Sequence, residues 1–326
     1  MHISEPAPDS FESLDPDTIL NAVEHHTGLF LDGSLTPFNS YINRVYGVTD
    51  EEGNRYVVKF YRNYRWSDEA LADEHIFLND CTNFEIPVPI TLGESPVGRS
   101  GGFRFSVFPR ISGRTFDIES DEDWIRSGAL IGRVHAAGRL KKAPHRTLCD
   151  PEHTTGQYIN RLIAEKIVHP DCLSEFSAVC TESLERAKRA YRACAGSGAD
   201  WGRIHGDCHR GNILRKSDGT LTILDFDDMM TGPAIQDLWL LLPGHLEDSW
   251  RELNLMLEGY EDFCSFDRPS AELVESLRFM RQIYFLNWCA LQRNDPLFAE
   301  RNPGWGEKAF WIRETGDLET QLDFLA

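Results

Sequence analysis

Three polar residues in the second half of the chain have the types and the spacing to do chemistry together. Asp207 is followed five residues later by Asn212, and Asp225 comes at the end of the apolar-rich run that begins at Leu221. A carboxylate can accept the proton of a hydroxyl group. Amide and carboxylate oxygens are also the ligands that Mg²⁺ prefers in proteins. These residues therefore predict a site that combines a proton acceptor with a divalent cation.

The offset from Asp207 to Asn212 is that of H-R-D-x-x-x-x-N in protein kinases, where the Asp accepts the hydroxyl proton and the Asn holds Mg²⁺. Gly206 stands where those kinases have Arg. The triplet Asp225–Asp227 occupies the place of D-F-G, whose Asp binds Mg²⁺ against the nucleotide phosphates. The pattern predicts phosphoryl transfer to a hydroxyl group, with Asp207 as proton acceptor and with Asn212 and Asp225 as metal ligands.

The turn between these residues suggests how they meet. Asp218 and Gly219 separate two apolar-rich runs, which is a strong signal for a β-hairpin with a two-residue loop. That loop would place Leu214 opposite Ile223 and residue 212 opposite residue 225, with Cβ atoms about 5 Å apart on one face. The alternative is that the Asn and the Asp only cap the ends of the strands.

A lysine and a glutamate are predicted to complete the nucleotide site. Lys59 lies in the run Val57–Tyr61, which resembles the V-A-I-K strand whose Lys binds the α- and β-phosphates. Glu74 falls within the apolar stripe of the following helix, where an unpaired carboxylate is costly. We expect a Lys59–Glu74 ion pair. The alternative is that Glu74 reaches the helix edge and pairs with Arg62 or Arg65.

The loop around Asp207 also contains His205, Cys208 and His209, which could imitate a zinc site. The offset from Asp207 to Asn212 explains this loop better than zinc ligation does. We expect His205 to anchor the loop through hydrogen bonds.

The first third of the chain is predicted to form a short helix followed by strands. Asp15 and Pro16 are a plausible N-cap and first turn, and β-branched and aromatic residues flank the turn-forming segment Asp50–Asn54. Ser67 should open a second helix, and Phe103–Pro109 should form another strand.

The rest of the chain, after about residue 112, is predicted to be mostly helical, with one β-rich stretch at 203–227. The aromatic-rich run Met280–Leu291 is typical of a core helix rather than a ligand site. A length of 326 residues suggests two domains at about 150 residues each. We expect an α+β, two-lobed, protein-kinase-like fold, with a small β-rich nucleotide-binding N-lobe (1–111) and a larger helical C-lobe (112–326) that carries catalysis and substrate binding.

Composition excludes several classes of protein. The net charge of −19 argues against nucleic-acid binding, which needs clustered Lys and Arg. The eight cysteines are scattered and show no C-x-x-C spacing, and the acidic first residues lack an apolar signal segment. No apolar run approaches the length of about 18 residues that a membrane span needs. We expect a cytoplasmic protein without a membrane partner.

Several segments, taken together, resemble the stress response kinase A family, which comprises bacterial Ser/Thr protein kinases of the aminoglycoside phosphotransferase and choline kinase-like fold. The broad fold is indicated by His205, Asp207, His209, Asn212 and Asp225 at their observed spacing. The narrower family is indicated by five segments, which are Asn39–Tyr46, Val57–Arg62, Gly232–Trp239, Tyr260–Phe263 and Met280–Tyr284.

The resemblance implies a two-lobed kinase that binds ATP in its cleft and Mg²⁺ at Asn212 and Asp225. Asp207 would be the proton acceptor, and Asp225 is also counted as an active-site residue. Ser40 matches the family position in the loop that covers the phosphates. Thr36–Ser40 stands where eukaryotic kinases have several glycines, so phosphate contacts would come from backbone N–H groups and the Ser40 hydroxyl.

The same resemblance implies a Ser/Thr protein kinase of the bacterial stress response that phosphorylates proteins, including itself. Two alternatives remain open. One is a small-molecule kinase for an aminoglycoside, choline or homoserine, because the acidic chain could serve a cationic substrate. The other is a nucleotide-binding module without turnover, which the joint presence of Lys59, Asp207, Asn212 and Asp225 disfavours.

Overall fold

The computed structural model describes residues 11, 14–40, 42–195 and 201–325. The first ten residues and Tyr41, which entered the expectations above, lie outside the described residues. The chain forms two compact units. The first comprises Met1–Phe116, Ala143–His145 and Ile213–Asp225, and the second comprises the remaining segments. A small unit built on antiparallel strands and a larger, mainly helical unit confirm the α+β fold class.

The first unit is built on a five-stranded antiparallel sheet with strand order β1-β2-β3-β5-β4. The strands are β1 (Leu31–Pro37), β2 (Arg44–Asp50), β3 (Arg55–Tyr61), β4 (Gly98–Ser100) and β5 (Phe103–Pro109). The β2–β3 hairpin and the β5 strand are confirmed where the sequence predicts them. In the hairpin, Val45 lies opposite Lys59.

Two α-helices lie in the described part of this unit, and both begin at the predicted caps. Helix α1 (Pro16–Thr27) starts after Asp15, whose carboxylate accepts a hydrogen bond from the Thr18 N–H at 2.9 Å. Helix α2 (Asp68–Asn83) starts after Ser67, whose hydroxyl accepts the Ala70 N–H at 3.2 Å. Each cap satisfies an N–H group that has no partner within the helix.

The two faces of the sheet have different roles. On β3, Val58 and Phe60 are fully buried in the core that includes residues of α1, and Phe105 on β5 stacks on Phe60 at 5.1 Å between ring centroids. Successive side chains on a strand point to opposite faces. Lys59, which lies between Val58 and Phe60, is therefore directed away from this core, to the other face of the sheet.

A second sheet of the first unit has the strand order β6-β8-β9, with β6 at Arg114–Thr115, β8 at Ile213–Arg215 and β9 at Leu221–Ile223. The β8–β9 hairpin forms at the predicted place, but its loop has three residues instead of two. The Lys216 N–H donates to the Thr220 carbonyl at 2.9 Å across the loop. Gly219 closes the loop in the left-handed conformation, with φ 83.

The predicted register of this hairpin is therefore wrong by one residue. Ile213 lies opposite Ile223, and Leu214 lies opposite Thr222 instead of Ile223. Because β8 begins at Ile213 and β9 ends at Ile223, neither Asn212 nor Asp225 belongs to the paired strands. The prediction that these two residues oppose each other across the ladder is not correct.

The second unit contains eight helices in its described part and one short sheet, in which β7 (Gly202–Ile204) pairs with β10 (Met230–Gly232). The helices are α3 (Asp121–Gly138), α4 (Gly156–Ala164), α5 (Leu173–Ala195), α6 (Ile235–Trp239), α7 (Trp250–Tyr260), α8 (Val274–Gln292), α9 (Pro296–Arg301) and α10 (Lys308–Leu322). In the described part of the chain, no helix combines the length and the apolar character that crossing a membrane requires.

Helix α8 is only partly the core helix that the sequence predicts. Met280, Ile283 and Leu286 are buried, as expected. Phe285, in contrast, is 48% exposed, and Leu291 is also exposed. The run contains apolar residues on both faces of the helix, so its composition alone does not show which aromatic side chains are covered.

Helices α3 and α7 cross at a distance that only glycine permits. A Cβ added to Gly128 would lie 1.8 Å from the carbonyl oxygen of Met256, and one added to Gly259 would lie 2.0 Å from that of Ile125. Both obstacles are backbone atoms, which cannot move aside as a flexible side chain can. The crossing therefore needs glycine on both helices.

Replacing Gly128 with Ala should lower the free energy of unfolding by about 1–3 kcal/mol, because the added methyl group overpacks the crossing. Urea denaturation measures this change. Gly316→Ala on α10 is the matched control, since its added Cβ would meet no atom within 4 Å. The control should raise stability by up to about 1 kcal/mol, through better helix propensity. Equal effects of the two substitutions would contradict the proposed crossing.

Candidate active site

The loop that carries Asp207 is held by a buried carboxylate on α6. Asp237 accepts the backbone N–H groups of His205 at 2.7 Å and of Gly206 at 2.8 Å. The neighbouring Gln236 donates its side-chain amide to the Gly206 carbonyl at 3.2 Å. Both peptide groups before Asp207 are therefore fixed by side chains of one short helix.

Asp237 is itself supported by two long helices. His135 of α3 makes a 2.8 Å hydrogen bond to the Asp237 carboxylate, and its other ring nitrogen bonds the Tyr260 hydroxyl of α7 at 3.0 Å. Burial by itself raises the pKa of Asp237. The hydrogen bond and charge of His135, the charge of His205 and the Gly206 N–H outweigh that effect, so the pKa lies below its usual value. Asp237 is thus held in its charged form.

Gly206 is required by the path of this loop. Its φ is 83, and a Cβ at this position would lie 2.2 Å from the carbonyl oxygen of Asp228. The protein kinase pattern has Arg at the same position. The Asp207 loop and the residues around Asp228 therefore approach each other too closely here for any side chain.

Asp207 is largely buried, and its carboxylate has a cationic neighbour. Arg281 of α8 donates to the Asp207 carboxylate at 2.6 Å, and a ring nitrogen of His209 lies 3.6 Å from it. Burial raises the pKa of Asp207 above its usual value, Arg281 opposes this shift, and the nearby Asp228 carboxylate adds to it. A carboxylate whose pKa is raised in this way is a better proton acceptor than a fully solvated carboxylate.

Asn212 ends a short 3-10 turn (Arg210–Asn212), and its orientation is fixed by the same loop. Its side-chain N–H₂ group donates to the backbone carbonyl of Asp207 at 2.9 Å. This bond uses the donor end of the amide and leaves the amide oxygen as an acceptor or a metal ligand. His205 anchors the loop as expected, because its ring nitrogen accepts the Asp207 N–H at 3.2 Å.

Within the first unit, the structure brings Lys59 and Asp225 together. The Lys59 ammonium lies 2.9 Å from one carboxylate oxygen of Asp225. Lys59 is 8% exposed, whereas the Asp225 side chain is 56% exposed. Asp225 has φ 58, a left-handed conformation that is uncommon for residues other than glycine. The Lys59–Asp225 contact was not predicted from the sequence.

Glu74 and Ser40 lie in the same unit. Glu74 is 2% exposed on α2, and Arg62, one of its two alternative partners, is also buried. Its pairing with Lys59 stays a prediction. Ser40 is half-buried in the connection between β1 and β2, and β2 is the strand that pairs with β3 on that side of the sheet. Its role in phosphate binding also stays a prediction.

The sequence analysis also missed the role of the Arg146 side chain. It is buried, and its guanidinium donates to three backbone carbonyls of the segment after Asp225: those of Phe226 at 3.2 Å, Asp227 at 2.5 Å and Met229 at 3.0 Å. An arginine in a charged stretch gives no local signal for this role. These contacts fix the backbone of residues 226–229 in the observed conformation.

The donors around the site suit a hard cation. Asn212, in the second unit, offers an amide oxygen, and Asp225, in the first unit, offers a half-exposed carboxylate. Each is an oxygen donor of the kind that Mg²⁺ and Ca²⁺ prefer, and their joint binding of one ion stays a prediction. Within the described ranges, no three His, Cys, Asp or Glu side chains are grouped as a metal site would need.

The sequence has clear relatives. The profile of the phosphotransferase enzyme family (APH) matches residues 34–274. Stress response kinase A of Escherichia coli (strain K12) is 36% identical over 326 residues, which cover 97% of this chain and 95% of the relative. Serine/threonine protein kinase RdoA of Salmonella typhimurium (strain LT2) is 34% identical over 321 residues, which cover 97% of this chain and 95% of that relative.

Solved structures of other proteins have a similar fold. An amicoumacin kinase in complex with AMP-PNP, Ca²⁺ and Ami has a TM-score of 0.72 at 19% identity, with 95% of this chain and 94% of that chain covered. Spectinomycin phosphotransferase APH(9)-Ia, in complex with ADP and spectinomycin, has a TM-score of 0.60 at 15% identity, with 95% and 97% covered. At these identities the likeness is one of fold.

Replacing Gly206 with Ala should reduce phosphoryl transfer at least about tenfold, which corresponds to about 1.4 kcal/mol in the barrier. The added Cβ must push the Asp207 loop away from the Asp228 carbonyl. Steady-state turnover with ATP measures the effect. Gly219→Ala is the matched control, because Gly219 has the same φ of 83 but no atom within 4 Å of its added Cβ. Similar losses in both variants would show that backbone strain, and not the close approach, is responsible.

Proposed function

This chain belongs to the phosphotransferase enzyme family, and on that basis we propose that it transfers the terminal phosphoryl group of ATP to serine and threonine hydroxyl groups of proteins. The observation that carries the proposal is the buried Asp207 carboxylate on a loop fixed by Asp237. The relatives named stress response kinase A and serine/threonine protein kinase support the protein acceptor.

Asp207 would orient the acceptor hydroxyl and take its proton as the new bond to phosphorus forms. Phosphoryl transfer requires little covalent chemistry from the protein, so positioning and electrostatics account for most of the rate. Arg281 holds one oxygen of the Asp207 carboxylate, and the loop holds its backbone. The proton acceptor thereby keeps one orientation, without reorganisation during the reaction.

Lys59 would bind the phosphates of ATP. Glu74 is buried on α2 beside the same sheet. Ser40 would lie in the loop that covers the phosphates. Asn212 and Asp225 would hold Mg²⁺. When bound, Mg²⁺ neutralises the negative charge that develops on the β- and γ-phosphate oxygens. Because Lys59 already contacts Asp225, one ammonium group would organise both the metal ligand and the phosphates. In this proposal the N-lobe (1–111) supplies Lys59, Glu74 and Ser40 to nucleotide binding, and the C-lobe (112–326) supplies the metal ligands, the proton acceptor and the acceptor-binding surface.

The cellular setting of this activity is also part of the proposal. The name of the relatives, stress response kinase A, supports a role in the bacterial stress response. Phosphorylation of the kinase's own chain as well as of other proteins is part of the same proposal. All eight cysteines are buried and free of disulfides, which agrees with the reducing cytoplasm.

A small-molecule acceptor is the second candidate. It is favoured by the fold neighbours, whose names specify amicoumacin and spectinomycin as their substrates. The relatives that share 34–36% identity over almost the whole chain are nevertheless named as stress response or protein kinases, so we place the protein acceptor first.

One incubation separates these candidates. The purified chain is mixed with γ-labelled ATP and Mg²⁺, with and without EDTA, together with dephosphorylated casein, choline or spectinomycin. Label on Ser or Thr of casein and of the chain itself, lost with EDTA, would support the proposal. Label on the small alcohols alone would replace it with the second candidate, and nucleotide binding without any transfer would overturn both.

Asp207→Asn should lower the transfer rate by a factor of about 10²–10⁴, the contribution typical of a general base, and leave ATP affinity within about twofold. Quenched-flow transfer and nucleotide titration measure the two quantities separately. Asp218→Asn makes the same change at the exposed tip of the β8–β9 hairpin and should leave both unchanged. Wild-type transfer by Asp207→Asn would disprove the proposed base.

A further inference from the structure

One face of α8 leads away from the proposed base and is rich in aromatic side chains. Arg281, Tyr284, Phe285 and Trp288 are spaced three, four and seven residues apart and therefore share that face. The Arg281 guanidinium binds Asp207 at 2.6 Å and lies over the Tyr284 ring, 5.2 Å from its centroid. The aromatic face thus begins at the carboxylate proposed to receive the acceptor hydroxyl.

The outer part of this face is open to solvent. Phe285 is 48% exposed, and its ring stacks on Trp288 with 5.9 Å between centroids and 19° between planes. The interior of the unit already buries the opposite side of the helix through Ile283 and Leu286. A half-exposed aromatic pair next to a catalytic centre is an apolar surface on which a ligand side chain can stack.

The charged groups near the base already have partners within the protein. The Asp207 carboxylate is engaged by Arg281, and the Asp228 carboxylate accepts the Tyr284 hydroxyl at 2.7 Å. A polycationic ligand would have to compete with the Arg281 guanidinium at the position of the acceptor. An apolar group meets no such competition on Phe285.

We propose that the Phe285–Trp288 face binds an aromatic or large aliphatic side chain of the acceptor polypeptide, two or three residues from the serine or threonine that is phosphorylated. This inference rests on the proposed protein kinase function and adds a sequence preference to it. Phe285 and Trp288 are specificity residues in this account, whereas Asp207 is the proton acceptor.

The spacing follows from helix and strand geometry. Along the α8 axis, Phe285 lies about 6 Å and Trp288 about 10 Å beyond Arg281, at about 1.5 Å per residue. An extended peptide advances about 3.3 Å per residue. A hydroxyl at Asp207 and a side chain on the aromatic pair are therefore about two to three residues apart in an extended acceptor.

Peptide acceptors test the preference directly. Each peptide has one central serine in an alanine and glycine background, with lysines at the ends, and a single phenylalanine is moved through the flanking positions. With wild-type protein, ATP and Mg²⁺, phenylalanine two or three residues to one side should lower KM about three- to tenfold relative to alanine, the size of one aromatic contact. The kcat should stay constant.

The variant Phe285→Ser should remove this preference by raising KM for the phenylalanine peptide to that for the alanine peptide. Phe285→Leu should restore part of it, because leucine still offers apolar surface. Phe30→Ser makes the same change at a residue that is 75% exposed in the first unit and should keep the wild-type preference. Thermal unfolding curves show that the variants are folded.

The possible outcomes test this inference separately from the proposed protein kinase function on which it rests. Transfer to the peptides with no effect of phenylalanine position, or an unchanged preference in Phe285→Ser, would overturn the docking face and leave the protein kinase function intact. Transfer to no peptide at all, together with transfer to small alcohols, would overturn the proposed function and the docking face with it.

Discussion

The interaction on which the proposed site depends most is the one between the Asp237 carboxylate and the two peptide N–H groups before Asp207. A buried charge is costly unless hydrogen bonds replace its hydration. Asp237 obtains that replacement from two backbone N–H groups and from His135. Since the carboxylate accepts from consecutive peptides, it fixes both the position and the direction of the chain where Asp207 begins.

This arrangement links helix packing in the core of the second unit to the position of the Asp207 loop. His135 lies on α3 and Tyr260 on α7, the two helices that cross through Gly128 and Gly259. The close crossing places the side chains that support Asp237, and Asp237 in turn places the loop. The packed core thereby determines the orientation of the largely buried Asp207 carboxylate, as the proposed catalysis by positioning requires.

Local signals in the sequence were sufficient for much of this structure. The helix caps at Asp15 and Ser67 and the β2–β3 hairpin form as predicted, because neighbouring residues determine them. The offset between Asp207 and Asn212 is a local signal of the same kind, and the structure joins the two residues through the Asn212 side-chain hydrogen bond to the Asp207 carbonyl. The β8–β9 register could not be predicted in this way, since Asp-Gly suits both two- and three-residue loops and only Gly219 takes the left-handed conformation here.

The remaining site residues depend on contacts between distant parts of the chain. Asp237, Arg146 and Arg281 each act on a loop far away in sequence, and nothing in their own surroundings shows which loop that is. Periodicity also failed to show that Phe285 is exposed, because apolar residues occur on both faces of α8.

The most direct test of the central claim is a single-turnover measurement of phosphoryl transfer by Asp237→Asn, with nucleotide affinity measured in parallel. The amide offers one acceptor oxygen in place of two, so one peptide N–H before Asp207 loses its partner. We predict a transfer rate at least about tenfold lower, with ATP affinity within about twofold and a folded protein. Transfer at the wild-type rate by the folded variant would contradict the claim that this carboxylate positions the catalytic loop.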